Sequence, residues 1–325
     1  MATAINSFMQ QQLLARRERL QDALTENRHP DHLHALLDEV DRALSRMQDG
    51  SYGLCETCHD TIESDRLICD PLVRFCLDHL SRQERNALER DLELAARVQK
   101  GLLPPQRLER HGWSICYHYE PAQLVSGDYC DVVDAEDSGL YFMVGDVSGK
   151  GVAASMLMAH LHAMFRTLIP MGLSLKRVLE HASRVFAESV LPNQYATLVC
   201  GRGFADGRIE ISNAGHPAPL LARDGAVRPV EGSSLPVGMF GKEEFSLVEL
   251  SLRPGERLIL YSDGVSEAMD ASSSEYGVER LCRLVGENQS AGAMDLLGLC
   301  RCDLDTFRGQ AQRHDDITLF ILSRQ

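Results

Sequence analysis

The hydrophobic pattern divides the chain into a helical first third and a longer part rich in short strands. Residues from about Ala4 to Leu24 form a polar helix with one apolar stripe, and after a break at residues 27–30 a second helix runs to Gln48. Its leucines and valine recur every three or four positions, which predicts a helical hairpin over residues 1–49. The residues expected to face inward are Leu33, Leu36, Leu37, Val40 and Leu44.

A third helix is predicted from Ser81 to Leu103, because the segment has no glycine until Gly101 and Pro104–Pro105 ends it. Residues that recur every three or four positions form a stripe along this helix, which suits a short dimeric coiled coil. The alternative is a single helix packed on its own domain. The stripe consists of Leu88, Leu92, Ala95, Gln99 and Leu102. Residues 81–104 are therefore expected to be a linker helix, with a homodimer through it as one hypothesis.

From residue 105 to 325 the pattern changes to short runs typical of β-strands, with helical blocks at Val152–Ile169, Leu175–Ser189 and Ala291–Phe307. Strand and helix do not alternate strictly, so the fold class expected here is a layered α+β sandwich. The predicted strands are Ser114–Tyr119, Tyr129–Val133, Leu140–Val144, Thr197–Cys200, Arg208–Ile211, Leu220–Ala222, Arg257–Tyr261 and Ile317–Leu322.

Composition restricts the partners and the compartment. The 325 residues carry 33 basic and 47 acidic side chains, a net charge of −14, so nucleic acid is not an expected partner. No run of apolar residues approaches about 18, and the N-terminus has no signal pattern, so we expect no membrane span and a cytoplasmic protein. Ten cysteines in such a chain indicate thiols or metal ligands rather than disulfides.

Two close pairs of metal-binding residue types lie between the helical hairpin and the linker helix. Cys55 and Cys58 form the first pair, and Cys76 and His79 form the second after a gap of seventeen residues. This spacing predicts one structural zinc ion held by all four side chains.

The segment around these pairs resembles the DksA/TraR zinc-finger family. The resemblance is carried by Met47–Cys55, the seventeen-residue gap and Arg74–Cys76. His79 departs from it, since that family usually has cysteine there. Residues 50–80 contain two arginines and six acidic residues, which argues against DNA binding, and the acidic tip that such proteins insert into RNA polymerase is not recognisable.

Four aspartates lie at the edges of predicted strands in the C-terminal two thirds. They are Asp128, Asp146, Asp263 and Asp315. Gathering buried carboxylates is costly unless a cation neutralises them, and oxygen ligands favour Mg²⁺ or Mn²⁺. The pattern therefore predicts a metal-dependent hydrolase that acts on phosphate.

The glycine-rich segment after Asp146 follows a strand and opens a helix, as in a dinucleotide-binding fingerprint. The acidic residue expected about 20 positions later is missing, and the spacing of Gly145, Gly149 and Lys150 does not fit a phosphate-binding loop. A tight turn is the better explanation, in which Gly149 and Gly151 take positive φ. Asp146 and the carbonyl of Val147 could then reach the same ion.

Seven motifs in order resemble the PPM family of metal-dependent serine/threonine phosphatases, in its bacterial SpoIIE/RsbU-like branch. The resemblance extends from about residue 93 to 322. The motifs are Ala96–Pro104, Ser126–Tyr129, Gly145–Val152, Asn213–His216, Leu235–Gly238, Ser262–Val265 and His314–Thr318. It implies an αββα sandwich with two Mn²⁺ or Mg²⁺ ions between the sheets.

The resemblance also implies roles for single residues. Asp146 would bridge the two metals and the Val147 carbonyl would complete one site. Asp263 and Asp315 would hold the other ion, and Asp128 would contact a metal directly or through water. These acids would be the catalytic residues, because the ions activate a water molecule for attack on phosphorus.

Other residues near these motifs keep open roles. Asp131 and Asp316 could support the metal ligands. His216 could protonate the leaving oxygen or hold a turn, and Lys150 could contact phosphate or remain solvated. No cysteine lies in a phosphate-cradling loop, which excludes a thiol phosphatase.

The expected function is a protein serine/threonine phosphatase regulated by its N-terminal module, with a phosphoprotein substrate. The resemblance implies that this substrate is often a small anti-sigma-factor antagonist. One alternative is a transcription modulator that contacts RNA polymerase through the finger. Another is a non-catalytic scaffold with the same fold, against which the presence of all four acids argues.

Overall fold

The computed structural model describes residues 2–26, 30–63, 66–67, 70–80, 82–191, 194–241 and 243–325. The predicted break at residues 27–29 and the predicted helix start at Ser81 lie outside the described residues. The chain forms two compact units, Met1–Arg90 and Asp91–Gln325. The finer division into hairpin, finger, linker helix and phosphatase domain stays a prediction.

The first unit contains two helices and a finger. Helix α1 spans Ala2–Glu26 and helix α2 spans Pro30–Asp49. Val40 is fully buried against Leu13, and the other residues predicted to face inward are half-buried, so the expected apolar face of α2 is confirmed. The finger has its own small core around Ile62 and the cysteines. Helix α3, Arg82–Leu102, begins in the first unit and ends in the second.

The second unit contains two antiparallel sheets. A six-stranded sheet has the order β1-β2-β11-β10-β7-β8, and a five-stranded sheet has the order β3-β4-β5-β6-β9. The strands are β1 Arg107–Arg110, β2 Trp113–Glu120, β3 Asp128–Asp134, β4 Leu140–Val147, β5 Ala196–Gly203, β6 Arg208–Ala214, β7 Leu220–Arg223, β8 Ala226–Pro229, β9 Val248–Ser251, β10 Arg257–Tyr261 and β11 Ile317–Arg324. The remaining helices are α4 Gly151–Leu168, α5 Leu175–Ser189, α6 Asp263–Ser266, α7 Val278–Glu287 and α8 Ala293–Arg308.

Successive side chains of each strand point to opposite faces of its sheet, so the hydrophobic core forms three layers. On β2, Ile115 and Tyr117 point between the sheets, whereas Cys116 points toward α7 and α8. Phe142 and Phe320 meet across the two sheets with ring centroids 6.2 Å apart. Helices α4 and α5 cover the other face of the five-stranded sheet. The predicted αββα sandwich is therefore confirmed.

Among the described residues, one helical segment, Gly151–Met171, is long and apolar enough to cross a membrane by length and composition alone, with a mean hydropathy of 1.3. The core helix of a folded domain can have the same length and composition. Part of this helix is fully buried against the five-stranded sheet, namely Met158, Leu161 and Phe165. Packing in the core therefore accounts for the apolar composition of the helix.

The sequence pattern missed the short edge strands β1, β8 and β9 and the helix α7. The three strands are partly or fully exposed along their length, so they lack the alternation that identifies a half-buried strand. Helix α7 buries Leu281 and Val285 against the six-stranded sheet and completes the outer layer there.

Candidate metal centre and catalytic site

The four predicted aspartates come from neighbouring strands of both sheets. Asp128 begins β3 and pairs directly with Asp146 near the end of β4. Asp263 follows β10 at the start of α6, and Asp315 precedes β11, the strand beside β10. The charges of Asp263 and Asp315 both act on Asp146, so the structure brings the acids of the two sheets together.

The cluster is electrostatically unfavourable without a cation. Burial, together with the charges of Asp263 and Asp315, raises the pKa of Asp146 to about 7. The pKa of Asp128, which is 1% exposed, is raised well above its usual range by burial and then by Asp146. The pKa of Asp263 is raised for the same two reasons, with Asp315 as the neighbour. Carboxylates in this state are suited to hard divalent cations.

The loop before β3 lies directly against the proposed ligands. A Cβ atom on Gly127 would lie 3.2 Å from both the Asp146 Oδ1 and the Val147 carbonyl oxygen. A side chain at this position would crowd both oxygens, so glycine favours the close approach of the loop to the Asp146 carboxylate and the Val147 carbonyl, and the two oxygens lie on the same side of it. This arrangement fits a shared ion. Gly149 and Gly151 have φ of 103° and 72°, as predicted for a tight turn.

The aspartates are spaced more widely than the residues of the predicted zinc site. Among the described residues, only the cysteine–histidine set brings three or more donor atoms within 4.8 Å of one another. A pair of ions about 3.5–4 Å apart needs a wider set of ligands than a single ion does. The Lys150 Nζ lies 2.9 Å from the Asp315 Oδ2, so this lysine forms an ion pair while its side chain stays 56% exposed.

Asp131 and Asp316 support the fold around the cluster. Asp131 is fully buried and binds the Arg166 guanidinium through two hydrogen bonds of 2.8 and 2.6 Å. Asp316 accepts hydrogen bonds from the backbone N–H groups of Ala122 and Gly127, at 2.7 and 2.9 Å. One of these aspartates therefore anchors α4 on β3, and the other holds the loop that leads to Asp128.

Gln99 is a residue whose role the sequence analysis missed. It was placed in the predicted coiled-coil stripe, yet it is 6% exposed and contacts its own unit. Its Nε2 donates to the Ser126 carbonyl at 2.7 Å, and its Oε1 accepts from the Ser126 N–H at 3.0 Å. No sequence signal identifies this pair, because the partner atoms belong to the backbone 27 residues away.

His216 is buried in the turn after β6. Burial lowers its pKa to about 3, so the ring is neutral near pH 7. Its Nδ1 lies 2.9 Å from the Thr197 Oγ1. A neutral, enclosed imidazole cannot act as the acid that protonates a leaving group, so the turn-holding role is the one that the structure supports.

The predicted zinc ligands lie together in the first unit. The donor atoms of Cys55, Cys58, Cys76 and His79 are all within 4.8 Å of one another. The Cys58 and Cys76 sulfurs are 3.8 Å apart. Two sulfurs bound to one tetrahedral zinc through bonds of about 2.3 Å would have the same separation.

The backbone around Cys55 favours a thiolate there, whereas the pKa of Cys58 is raised to about 11, because the lowering effect of the Asp60 backbone is outweighed by burial and by hydrogen bonds with Cys55 and Cys76. Burial raises the pKa of Cys55, but hydrogen bonds from the backbone of Cys58, Cys76 and Thr57 outweigh it and lower the pKa to about 6. A thiolate is the form of cysteine that binds a metal. The residues present therefore fit one zinc ion.

Comparison with known proteins identifies relatives of the sandwich. Residues 136–325 match the family described as "Stage II sporulation protein E (SpoIIE)". "Phosphoserine phosphatase RsbP" of Bacillus subtilis is 31% identical over 194 residues, which are 58% of this chain and 47% of that protein. "Phosphoserine phosphatase RsbU" of the same organism is 26% identical over 275 residues, 82% of this chain and 81% of that protein.

Solved structures share the fold. The SiaA-PP2C domain of Pseudomonas aeruginosa superimposes with a TM-score of 0.65 at 18% identity, covering 75% of this chain and 98% of that domain. The chain spans only 47% of RsbP and 41% of a further relative, "Protein IcfG" of Synechocystis.

The finger has a separate match. The "RNA polymerase-binding transcription factor DksA" of Caulobacter vibrioides is 36% identical over 64 residues, 20% of this chain and 45% of that protein. The likeness is confined to this short segment and is consistent with the finger predicted from the cysteine spacing.

Proposed function

The chain belongs to the SpoIIE family, and we propose that it is a metal-dependent protein serine/threonine phosphatase in bacterial signalling. The observation that carries the proposal is the meeting of Asp128 and Asp146 from one sheet with Asp263 and Asp315 from the other. The names of RsbP and RsbU, both phosphoserine phosphatases, support the same activity.

The chain's own residues would hold two Mg²⁺ or Mn²⁺ ions. Asp146 would bridge them with the Val147 carbonyl at one ion, Asp263 and Asp315 would bind the other, and Asp128 would contact one directly or through water. When bound, the ions supply an acidified water molecule and neutralise charge on the phosphate. The Thr318 hydroxyl donates to the Asp128 carboxylate and keeps it oriented.

The proposed substrate is a phosphoserine or phosphothreonine protein, such as an anti-sigma-factor antagonist. The Asp315 side chain at the edge of the cluster is 42% exposed, which suits a phosphate carried on another protein. Lys150, paired with Asp315 at the edge of the cluster, is 56% exposed at its side chain and can reach an incoming phosphate group.

We propose that α3 carries regulation between the N-terminal module and the metal site. Gln99 and Leu102 pack on the second unit, whereas Leu94 and Val98 on the same helix are 53% and 59% exposed. Met156 on α4 is 68% exposed, and it lines an apolar groove together with Leu94 and Val98. This surface would pair two copies of the chain, and Gln99 would transmit the pairing to Ser126 and the Asp128 loop.

The finger favours a second candidate function. Its likeness to DksA supports contact with RNA polymerase, which would make the chain a transcription modulator with a phosphatase attached. Copurification of polymerase with the wild-type chain, but not with a Cys58→Ser variant, would support that function. Failure of polymerase to bind the intact chain would exclude it.

The activity is tested with an aryl phosphate and with a phosphoserine peptide in the presence of Mn²⁺. We expect turnover that stops on removal of the ion and that falls at least a thousandfold in Asp263→Asn, because an ion and its water are lost. Asp91→Asn is the control, since Asp91 is an exposed aspartate on α3. Equal turnover in wild type and Asp263→Asn would refute the proposed site.

A further inference from the structure

The connection between β8 and β9 contains a loop, residues 234–241, which we call the Phe240 loop. It crosses the end of the five-stranded sheet at which the proposed metal ligands lie. Val237 exchanges two backbone hydrogen bonds with Ala196, at 2.8 and 3.0 Å. Ala196 begins β5 and is the ladder partner of Val147 at the end of β4. Two steps of about 4.8 Å between neighbouring strands therefore separate the backbone of Val237 from that of Val147.

A buried carboxylate holds the far part of this loop. Glu243 is 6% exposed, and its carboxylate accepts a hydrogen bond from the Ser183 hydroxyl. It also accepts from the backbone N–H groups of Phe240 and Gly241. The Ser183 Oγ in turn accepts from the Gly238 N–H at 2.9 Å. The backbone from Gly238 to Gly241 is therefore fixed by α5 and by Glu243 together.

Close packing on α5 restricts the same segment. Gly238 has a φ of 81°, and a Cβ atom there would lie 2.5 Å from the Phe186 Cδ1. Gly241 has a φ of 70°, and a Cβ atom there would lie 3.1 Å from the Ala187 Cβ. The loop therefore contacts α5 on both sides of the residue that gives it its name.

This fixed loop exposes apolar side chains to solvent. Phe240 is 70% exposed, and Leu235 and Met239 are 52% and 36% exposed. Single apolar residues on a surface need no explanation, whereas a cluster of them marks an interaction site. An aromatic ring on a fixed backbone loses little conformational entropy when a partner covers it, which is characteristic of a binding hot spot.

A protein that presents a phosphate to the metal ligands has to come close to this loop. Three residues separate Val237 from Phe240, so the Phe240 backbone lies within about 20 Å of Val147. An extended chain covers that distance in about six residues. An apolar side chain on either side of a phosphoserine can therefore reach the ring while the phosphate lies at the acids.

We propose that the Phe240 loop is a docking surface for the phosphoprotein substrate and binds an apolar side chain within about six residues of the phosphoserine. The proposal rests on the function proposed above, because the phosphate at the metal site is what brings the substrate to the loop. Phe240 contributes to binding and not to the chemical step. Its loss should therefore raise KM and leave kcat unchanged.

Two synthetic phosphoserine peptides test this docking surface on the full chain with Mn²⁺. Each has about seven residues on both sides of a single phosphoserine, which is enough to cover the distance to the ring. One peptide has leucine at alternate positions, and the other has serine in place of every leucine. An aryl phosphate, which is too small to reach the loop, is the reference substrate.

Phe240→Ser removes the ring, and Met171→Ser is the matched control. Met171 is 65% exposed and follows the C-terminal end of α4. That end is about 25 Å along the helix axis from Gly151, the residue at which α4 begins beside the acids. The control therefore removes an equally exposed apolar side chain at a distance from the metal site.

We expect wild type to hydrolyse the leucine peptide with a kcat/KM at least about tenfold higher than that for the serine peptide. Phe240→Ser should lose this preference through a higher KM, with its melting temperature and its turnover of the aryl phosphate unchanged. Phe240→Leu should retain part of the preference, and Met171→Ser should retain all of it.

The outcomes distinguish this proposal from the function on which it rests. A wild-type chain that hydrolyses neither the aryl phosphate nor the peptides would overturn the proposed function itself. Hydrolysis of both peptides with equal kcat/KM, or a preference that Phe240→Ser retains, would overturn the docking role alone. If Phe240→Ser fails to fold, Phe240→Gln decides in the same way.

Light scattering tests the other occupant that an exposed apolar loop could have. Wild type and Phe240→Ser should have the same mass in solution. If the wild-type chain is a larger assembly that Phe240→Ser dissociates, the loop is an interface between two copies of the chain and the proposal is wrong.

Discussion

Replacing Asp146 by asparagine should stabilise the protein at high pH when Mn²⁺ and Mg²⁺ are absent. Burial, Asp263 and Asp315 raise the pKa of Asp146 from 3.8 to about 7. An acid whose pKa is higher in the folded state holds its proton more tightly there than in the unfolded chain. Its ionisation therefore destabilises the fold progressively as the pH rises from about 4 to about 7.

The size of the effect follows from the shift. About three pKa units correspond to roughly 4 kcal/mol when the group is fully ionised at pH 8. At pH 5 the folded state still holds most of the proton, and the cost is roughly 1.5–2 kcal/mol. Asparagine resembles the protonated acid and carries no charge, so Asp146→Asn should gain most at pH 8 and least at pH 5.

Urea unfolding at the two pH values measures this difference. Trp113 is the only tryptophan, and it is fully buried between the sheets, so its fluorescence reports the sandwich alone. Adding Mn²⁺ should reverse the order, because wild type gains stability from the ion and the variant does not. The exposed Asp91→Asn serves as control.

Two results would refute this reasoning. If Asp146→Asn is no more stable than wild type at pH 8 without the ions, the acids do not repel one another as argued. If its advantage is equal at both pH values, the gain does not come from ionisation of Asp146.

Three further predictions concern the rest of the chain. One zinc per chain should be found by metal analysis, and Cys58→Ser should lose it while retaining turnover of an aryl phosphate; a zinc-free wild type would contradict the finger. Gln99→Met should lower the free energy of unfolding in urea by about 2–4 kcal/mol, because it leaves the buried N–H and carbonyl of Ser126 unpaired. It should also raise the Mn²⁺ concentration needed for half-maximal turnover. The control Lys100→Met should change neither quantity. Leu94→Asp, on the proposed pairing surface, and a chain starting near Gln106 should differ from the full chain in light scattering and in turnover. If all three proteins are monomeric and equally active, α3 is only a tether.

Sequence patterns were sufficient where a residue's role depends on its neighbours in the chain. The alternating strands of the sandwich and the paired spacing of Cys55, Cys58, Cys76 and His79 are local, and the structure shows the strands and the convergence of the four side chains. The four aspartates were found because each follows or precedes a strand within a short motif. Their metal-binding roles remain predictions.

Long-range contacts were not accessible from the pattern. Asp131 and Asp316 each lie close in sequence to a predicted ligand, yet one binds Arg166 and the other binds backbone nearly 190 positions away. Gln99 looked like a weak residue in a dimer seam, although it pairs with Ser126. In each case the partner is set by how the sheets, α3 and α4 pack together.

The position of β11 makes the six-stranded sheet one of the last parts of the chain that can be completed during synthesis. This strand lies between β2 and β10 at the centre of its sheet, and Glu120 on β2 pairs with Ile317, almost two hundred residues later. A growing chain that has made every strand up to β10 still lacks Asp315 and leaves two strand edges open. If the proposed metal site is correct, no activity can arise before Asp315 and the strand beside it are made, and the exposed edges before that point are where nascent chains would pair wrongly.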